Sequence, residues 1–134
     1  MFNFIPPEDD SVYEGQTYIG QFYIEGEFGL TDFNMSSNNG IINVGNNITI
    51  DNNPISTLMT LGMHTIVVTH NQGALDTYFT NEGETELVVT LTMKNGNDIL
   101  ETFTITLVDV ESDVLNWSGY DNMGTYMSNE LLPD

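Results

Sequence analysis

The chain has 134 residues, including 20 acidic residues against a single Lys or Arg, for a formal net charge of −19. One basic residue cannot neutralise a nucleic-acid backbone or build a phosphate cradle, so these functions are excluded. An apolar content of 40% excludes wholesale disorder. Abundant Thr, Asn and Gly beside a single alanine, Ala74, favour strands and turns over helices. We therefore expect one all-β domain.

The first ten residues are predicted to form an extended N-terminal arm. Phe2, Phe4 and Ile5 precede Pro6-Pro7 and three acidic residues. Because the proline pair fixes an extended backbone and supplies no ladder donors, the segment is predicted to be an arm and not a core strand. It lacks the basic region and apolar core of a secretory signal, so we expect a protein that stays where it is made or leaves the cell inside an assembled particle.

The stretch from Val12 to Phe28 is rich in aromatic and β-branched residues and predicts one or two strands. Alternation divides it into two faces, Tyr18, Gly20, Phe22 and Ile24 against Ile19, Gln21, Tyr23 and Glu25. Since both faces carry apolar residues, the pattern predicts a strand that is covered on both sides.

The Asn-rich stretch 34–53 predicts a small hairpin. Two apolar pairs, Ile42 with Val44 and Ile48 with Ile50, are separated by the possible turn Gly45-Asn46-Asn47. Gly and Asn tolerate the positive φ that such a turn needs. A further strand is predicted from Met63 to His70, followed by a turn at 71–73. Ile66 and Val68 would share a face with His64 and His70.

Two alternating runs between Thr85 and Val110 predict a long hairpin. A three-residue loop, Asn95 to Asn97, places the apolar residues of both runs on one face. This register would pair Met93 with Ile99, Val89 with Phe103, Leu87 with Ile105, Thr90 with Thr102, Val88 with Thr104 and Lys94 with Asp98.

Residues 111–134 are predicted to form a C-terminal extension beyond a sandwich domain at 11–110. The extension has no sustained period, yet it carries apolar residues that a disordered tail normally lacks. These are Trp117, Tyr120, Met123, Tyr126, Met127, Leu131 and Leu132. We expect them to lie either on the chain's own domain or on a neighbouring subunit.

About seven short strands separated by Gly and Asn turns predict an antiparallel β-sandwich. The segment Leu61 to Thr69 resembles the late strand of bacterial and phage immunoglobulin-like domains. The run Thr102 to Val110 is similar to the final strand of immunoglobulin-like and cadherin-like modules. The resemblance implies an immunoglobulin-like sandwich, although the two cysteines that flank a tryptophan in antibody domains are missing.

No catalytic set is visible, and we expect a protein that is not an enzyme. The chain has no Cys, no Gly-x-Ser-x-Gly elbow and no His-Glu-x-x-His motif. His64 and His70 are expected on the surface or at a rim, about 20 Å apart along an extended strand, which is too far to bind one metal ion.

No cofactor is expected, and the chain offers one weak candidate site for structural calcium. Asp109, Glu111 and Asp113 alternate just beyond the last strand, where the resemblance to cadherin-like modules implies acidic ligands. The Asp-x-Asn-Asp-Asn linker of those modules is missing. A second triplet, Glu82, Glu84 and Glu86, is interpreted as a solvated strand edge.

The sequence favours a non-enzymatic structural protein of a virus particle, located in the virion, because the resemblance implies a domain that phage capsids and tails often carry. Its partners would be the major capsid protein or neighbouring copies, without direct contact to nucleic acid or membrane. The contacts would be Phe2, Phe4, Ile5 and the seven apolar residues of the C-terminal extension.

Two alternative functions remain open. A carbohydrate-binding or adhesive module would use exposed aromatic rings for stacking, and the candidates are Tyr13, Tyr18, Tyr23 and Trp117. An acidic nucleic-acid mimic would use the negative charge to occupy a DNA-binding protein.

Overall fold

The computed structural model describes residues 1–110, which form eight strands and two helices. The strands are β1 (Phe2–Ile5), β2 (Ser11–Tyr13), β3 (Tyr18–Ile24), β4 (Phe33–Ser37), β5 (Ile48–Ile50), β6 (Gly62–Val68), β7 (Glu86–Asn95) and β8 (Asp98–Val108). The helices are α1 (Val44–Asn47) and α2 (Gln72–Glu82).

The strands form two four-stranded sheets that enclose one core. Sheet A has the order β1-β3-β6-β5, and sheet B has the order β2-β8-β7-β4. The prediction of an all-β sandwich is confirmed. The pairing is antiparallel except between β2 and β8, which run parallel, so the prediction of a wholly antiparallel sandwich is wrong for this pair.

Strand β3 shows why the sheets have an apolar inner face. Tyr18, Phe22 and Ile24 point into the core, and Phe22 contacts the rings of Phe2 and Phe33 at centroid distances of 5.2 and 5.8 Å. The predicted division of β3 into two faces is confirmed. The sequence also predicts that the second face of β3 is covered. Within residues 1–110 no element covers it, and the β3 side chains on that face are exposed.

The predicted N-terminal arm is wrong for residues 2–5, which form edge strand β1 along β3. Phe2 stacks on Phe22, and Phe4 stacks on Phe103 with 4.6 Å between ring centroids. Pro6-Pro7 lacks backbone N–H groups and therefore ends the ladder, but it does not prevent pairing of the residues before it.

The long hairpin β7-β8 is confirmed, but its predicted register is wrong. The strands pair Asn95 with Asp98 and Lys94 with Ile99, and a bulge follows between Met93 and Lys94. Beyond the bulge Leu91 lies opposite Phe103, Val89 opposite Ile105 and Leu87 opposite Leu107. An extra residue on β8 shifts the register by one, and this shift places Val89, Leu91, Phe103 and Ile105 together on the core face.

The Asn-rich stretch contains a helical turn in place of the predicted hairpin. The Asn43 side chain accepts a hydrogen bond from the Asn46 N–H, and the Asn47 side chain accepts one from the Asn43 N–H. These local bonds satisfy the first turn of α1. Strand β5 then pairs with β6, and not with a partner inside the stretch.

The turn predicted at 71–73 is the start of helix α2. The Asn71 side chain caps the helix by accepting from the Ala74 N–H, and Gly83 ends it at a φ of 69°. Leu75 and Phe79, four residues apart, bury one side of the helix in the core. The predicted strand Met63 to His70 is correspondingly shorter, because β6 ends at Val68.

Candidate functional site

His64 is a core residue and not the surface or rim residue that the sequence predicted. Its side chain points inward from β6, is 6% exposed, and lies against the Phe22 ring at a centroid distance of 5.1 Å. Its Nδ1 lies 2.6 Å from Asp51 Oδ2, and its Nε2 lies 2.7 Å from the Thr60 carbonyl oxygen. Because both nitrogens face oxygen acceptors, we expect both to carry protons and to donate, one of them to the Asp51 carboxylate.

Asp51 is placed for this contact by the turn that follows β5. Asp51 and Asn52 have φ values of 54° and 67°, a left-handed conformation that Asp and Asn tolerate well. The second oxygen, Oδ1, accepts from the Thr65 N–H at 2.9 Å. Partial burial of the carboxylate by itself raises the pKa of Asp51. The hydrogen bond from the Thr65 N–H and then the interaction with His64 outweigh this effect, so the pKa of Asp51 is lowered. The pair therefore fastens this turn to β6.

His70 lies beyond β6 and makes a different kind of contact. Its Nε2 accepts a hydrogen bond from the Gly15 N–H at 2.9 Å, which only an unprotonated nitrogen can do. Burial lowers the pKa of His70, so the side chain is held in the form that accepts this bond. The contact links the β2-β3 loop to the start of α2.

We expect the free energy of unfolding to decrease on acidification through the titration of His70. A lowered pKa means that the unfolded chain binds the proton more readily, so the stabilisation is complete above about pH 6.5 and is lost as pH falls through the folded pKa. Urea unfolding between pH 8 and pH 5 measures this dependence. His70→Asn should show a smaller decrease across the same range, and an identical decrease in both proteins would contradict the assignment.

The residues predicted as partner contacts do not form one surface. Phe2 and Phe4 are half-buried and pack against the chain's own core, whereas Ile5 is exposed. The remaining predicted contacts, Trp117, Tyr120, Met123, Tyr126, Met127, Leu131 and Leu132, lie outside the described residues.

Only one of the three predicted calcium ligands lies within the described residues. Asp109 lies just beyond β8, where its N–H donates to the Thr85 carbonyl oxygen, while Glu111 and Asp113 lie outside the described residues. Within residues 1–110, no three His, Asp or Glu side chains converge closely enough to hold a metal ion.

The predicted sugar-stacking residues do not form one platform. Tyr18 is 2% exposed and lies in the core. Tyr13 and Tyr23 are exposed, but they belong to β2 of sheet B and β3 of sheet A. Trp117 lies outside the described residues.

The outer face of sheet A carries exposed apolar side chains that the sequence did not assign to a site. Its exposed apolar side chains are contributed by three neighbouring strands, and strand pairing sets Tyr23 beside Met63 and Ile19 beside Val67. Ile19 is 54% exposed, Met63 50% and Tyr23 38%, and Ile5 lies beside Gln21 on the same face. The polar residues between them, Asn3, Gln21, Thr49 and Thr65, are uncharged.

The acidic residues of the described chain lie outside the strands of this face, and Glu25 follows directly at the end of β3. All but three lie outside the strands, and the exceptions, Glu86, Asp98 and Glu101, belong to sheet B. The strands of sheet A contain no Asp, Glu, Lys or Arg, and their one histidine points inward. The outer face of sheet B differs in chemistry, because it carries the cross-strand pairs Thr90-Thr104 and Thr92-Thr102.

Comparison with models of known protein families gives no match, and comparison with curated protein sequences gives none either. None of the helices in residues 1–110 combines the length and the hydrophobicity that crossing a membrane requires.

Proposed function

We propose that this chain is a non-enzymatic structural protein of a virus particle, in which it packs against a neighbouring copy of itself through the outer face of sheet A. The observation that carries the proposal is an exposed apolar face without charge on a molecule with a net charge of −19. Several large apolar side chains exposed on one sheet face favour a protein contact there. This face replaces Phe2 and Phe4 as the proposed contact, while Ile5 remains part of it.

The distribution of charge favours a second copy as the occupant. Two such acidic molecules repel one another, so copies can approach closely only where acidic side chains are absent from the contact. The outer face of sheet A meets this condition, since the acidic residues lie in the loops, in α2 and on sheet B. Tyr23, Met63 and Ile19 are also large side chains of the kind that supply buried area in an interface.

The oligomeric state of the purified full-length chain tests this contact. We expect self-association by sedimentation equilibrium, stronger in 1 M than in 0.15 M NaCl, because salt screens the repulsion between acidic copies. The double variant Ile19→Glu, Met63→Glu should weaken association at least ~100-fold, since two charges would have to be buried in the contact.

A matched control places the same two charges on the opposite sheet. Val88 and Thr102 are exposed on the outer face of sheet B, and Val88→Glu, Thr102→Glu should associate like the parent protein. A chain that stays monomeric in 1 M NaCl, or equal association of both double variants, would contradict the proposed contact. Mass spectrometry of purified virus particles tests the proposed location. Recovery of the chain only outside the particles would contradict it.

A further inference from the structure

A cavity opens on the side of the sandwich where the chain crosses from β1 to β2. Its volume is about 390 Å³, and it is bounded by the 6–10 segment and by β8. The buried rings of Tyr18 and Phe103 form its floor together with Phe4, and exposed acidic residues surround its opening. The cavity lies between the sheets and is separate from the outer face of sheet A.

The floor is a stack of three aromatic rings. Phe103 stacks on both Phe4 and Tyr18, with centroid distances of 4.6 and 5.7 Å. Such a floor offers an aliphatic chain a large apolar area that water solvates poorly. The rings therefore suit a ligand with an apolar stem.

Tyr18 adds a polar group to this floor. The side chain is 2% exposed and lines the cavity, and no hydrogen bond joins its hydroxyl to a residue in the described range. Burial and the nearby Asp10 carboxylate raise the pKa of Tyr18 to about 12, so the phenol keeps its proton and its oxygen is available as an acceptor. A ligand in the cavity that donates a hydrogen bond would give this hydroxyl a partner within the protein's own wall.

The carboxylates at the opening have spare acceptor capacity. Asp10 accepts one hydrogen bond through Oδ2, from the Thr104 hydroxyl at 3.3 Å. Glu8 and Glu101 have no hydrogen bond or ion pair to any described residue. These carboxylates do not converge as metal ligands do, so they match a larger cation better than a bare metal ion.

We propose that this cavity binds an organic cation with an aliphatic stem, an alkyl ammonium or alkyl guanidinium group. The stem lies on the Phe4, Tyr18 and Phe103 rings, and the charged head donates hydrogen bonds to the Tyr18 hydroxyl and to the Asp10 and Glu101 carboxylates. The chain's single Lys or Arg, Lys94, is opposite Ile99 in the β7-β8 hairpin, so the cation comes from another molecule. This molecule is either a protein that offers a Lys or Arg side chain or a free aliphatic amine.

Titration of the isotopically labelled full-length chain with n-butylammonium chloride tests the site. We expect saturable NMR shift changes at the amides of Asp10, Glu101 and Thr104, with a dissociation constant on the order of 1 mM. Asp10→Asn, Glu101→Gln should weaken binding at least ~10-fold, and Tyr18→Phe about 3-fold. The control is the double variant Glu82→Gln, Glu84→Gln, which changes the net charge by the same amount away from the cavity. It should bind n-butylammonium like the parent chain.

Two further probes identify the source of the cation. A blocked Gly-Lys-Gly peptide that binds more tightly than n-butylammonium would indicate a protein side chain, and equal affinity would indicate a free amine. Both results support the site. Equal shifts with n-butanol, shifts that sodium chloride reproduces at the same ionic strength, or undiminished binding by the Asp10, Glu101 variant would overturn it. None of these outcomes depends on self-association through sheet A.

Discussion

Replacement of Gly29 by alanine is expected to lower the free energy of unfolding by about 3 kcal/mol, although Gly29 lies in the connection between β3 and β4. A Cβ atom at this position would lie 2.1 Å from the Met59 carbonyl oxygen. That oxygen accepts from the Leu30 N–H, and the Met59 N–H donates back to Leu30. The new methyl group therefore has to displace backbone and break this pair of hydrogen bonds, because no flexible side chain can move aside.

Gly40→Ala is the matched control, because a Cβ atom at Gly40 meets no other atom within 4 Å. We expect it to leave stability unchanged or to raise it slightly, since alanine reduces the freedom of the unfolded chain. Urea denaturation of both variants measures the difference. Similar unfolding midpoints for Gly29→Ala and the parent chain would contradict the close backbone approach.

The strands could be predicted where alternation is regular and long. In β3 the buried residues Tyr18, Phe22 and Ile24 occupy every second or fourth position, which sets the face without knowledge of any partner. The same signal predicts the β7-β8 hairpin but not its register. The loop holds two residues between Asn95 and Asp98 in place of the predicted three, and the bulge between Met93 and Lys94 then shifts every pair that follows by one more. A bulge leaves no mark in the apolar pattern of either strand alone.

The two helices could not be predicted because the residues that begin them also favour turns. Asn43 and Asn71 both act as N-caps through their side-chain oxygens, whereas the sequence places Asn43 in a hairpin and Asn71 in a turn. The low helix propensity of the composition strengthened that interpretation. Helix α2 forms because Leu75 and Phe79 bury one side of it, a tertiary contribution that outweighs propensity.

The candidate sites could not be predicted for a related reason, because each depends on contacts between residues that are distant in the sequence. The sequence places His64 on the same strand face as Ile66 and Val68, but its contact with Asp51 depends on the pairing of β5 with β6. Similarly, Phe4 and Tyr18 were considered as partner and sugar contacts. Only the folding of β1 onto β3 places both rings beside Phe103.

Asp51→Gly is expected to lower the free energy of unfolding by about 3 kcal/mol at pH 7, whereas Asp51→Asn should cost clearly less. Glycine accepts the left-handed backbone at Asp51, so the loss reports the missing carboxylate and not strain. The variant leaves His64 Nδ1 and the Thr65 N–H without their acceptors. Asparagine can still accept from Thr65, and its amide can donate to Nδ1 of a neutral His64 ring.

Urea unfolding and the ring nitrogen signals of His64 distinguish these cases. The parent chain should show an imidazolium with two protonated nitrogens, and Asp51→Asn a neutral ring protonated at Nε2. Because the pKa of Asp51 is lowered in the folded chain, the stability that it adds is present above about pH 4 and is lost as pH falls through the folded value. The difference between the parent and Asp51→Gly should therefore shrink in acid.

The control Glu27→Gly removes a carboxylate from the exposed loop after β3 and should cost less than about 1 kcal/mol. If Asp51→Gly cost no more than this control, the buried imidazolium would not depend on the carboxylate. Equal losses for glycine and asparagine at Asp51 would show instead that charge, and not hydrogen bonding, stabilises His64. The two readouts therefore separate the charge of the Asp51-His64 pair from its hydrogen bonds, a distinction that stability measurements at a single pH cannot make.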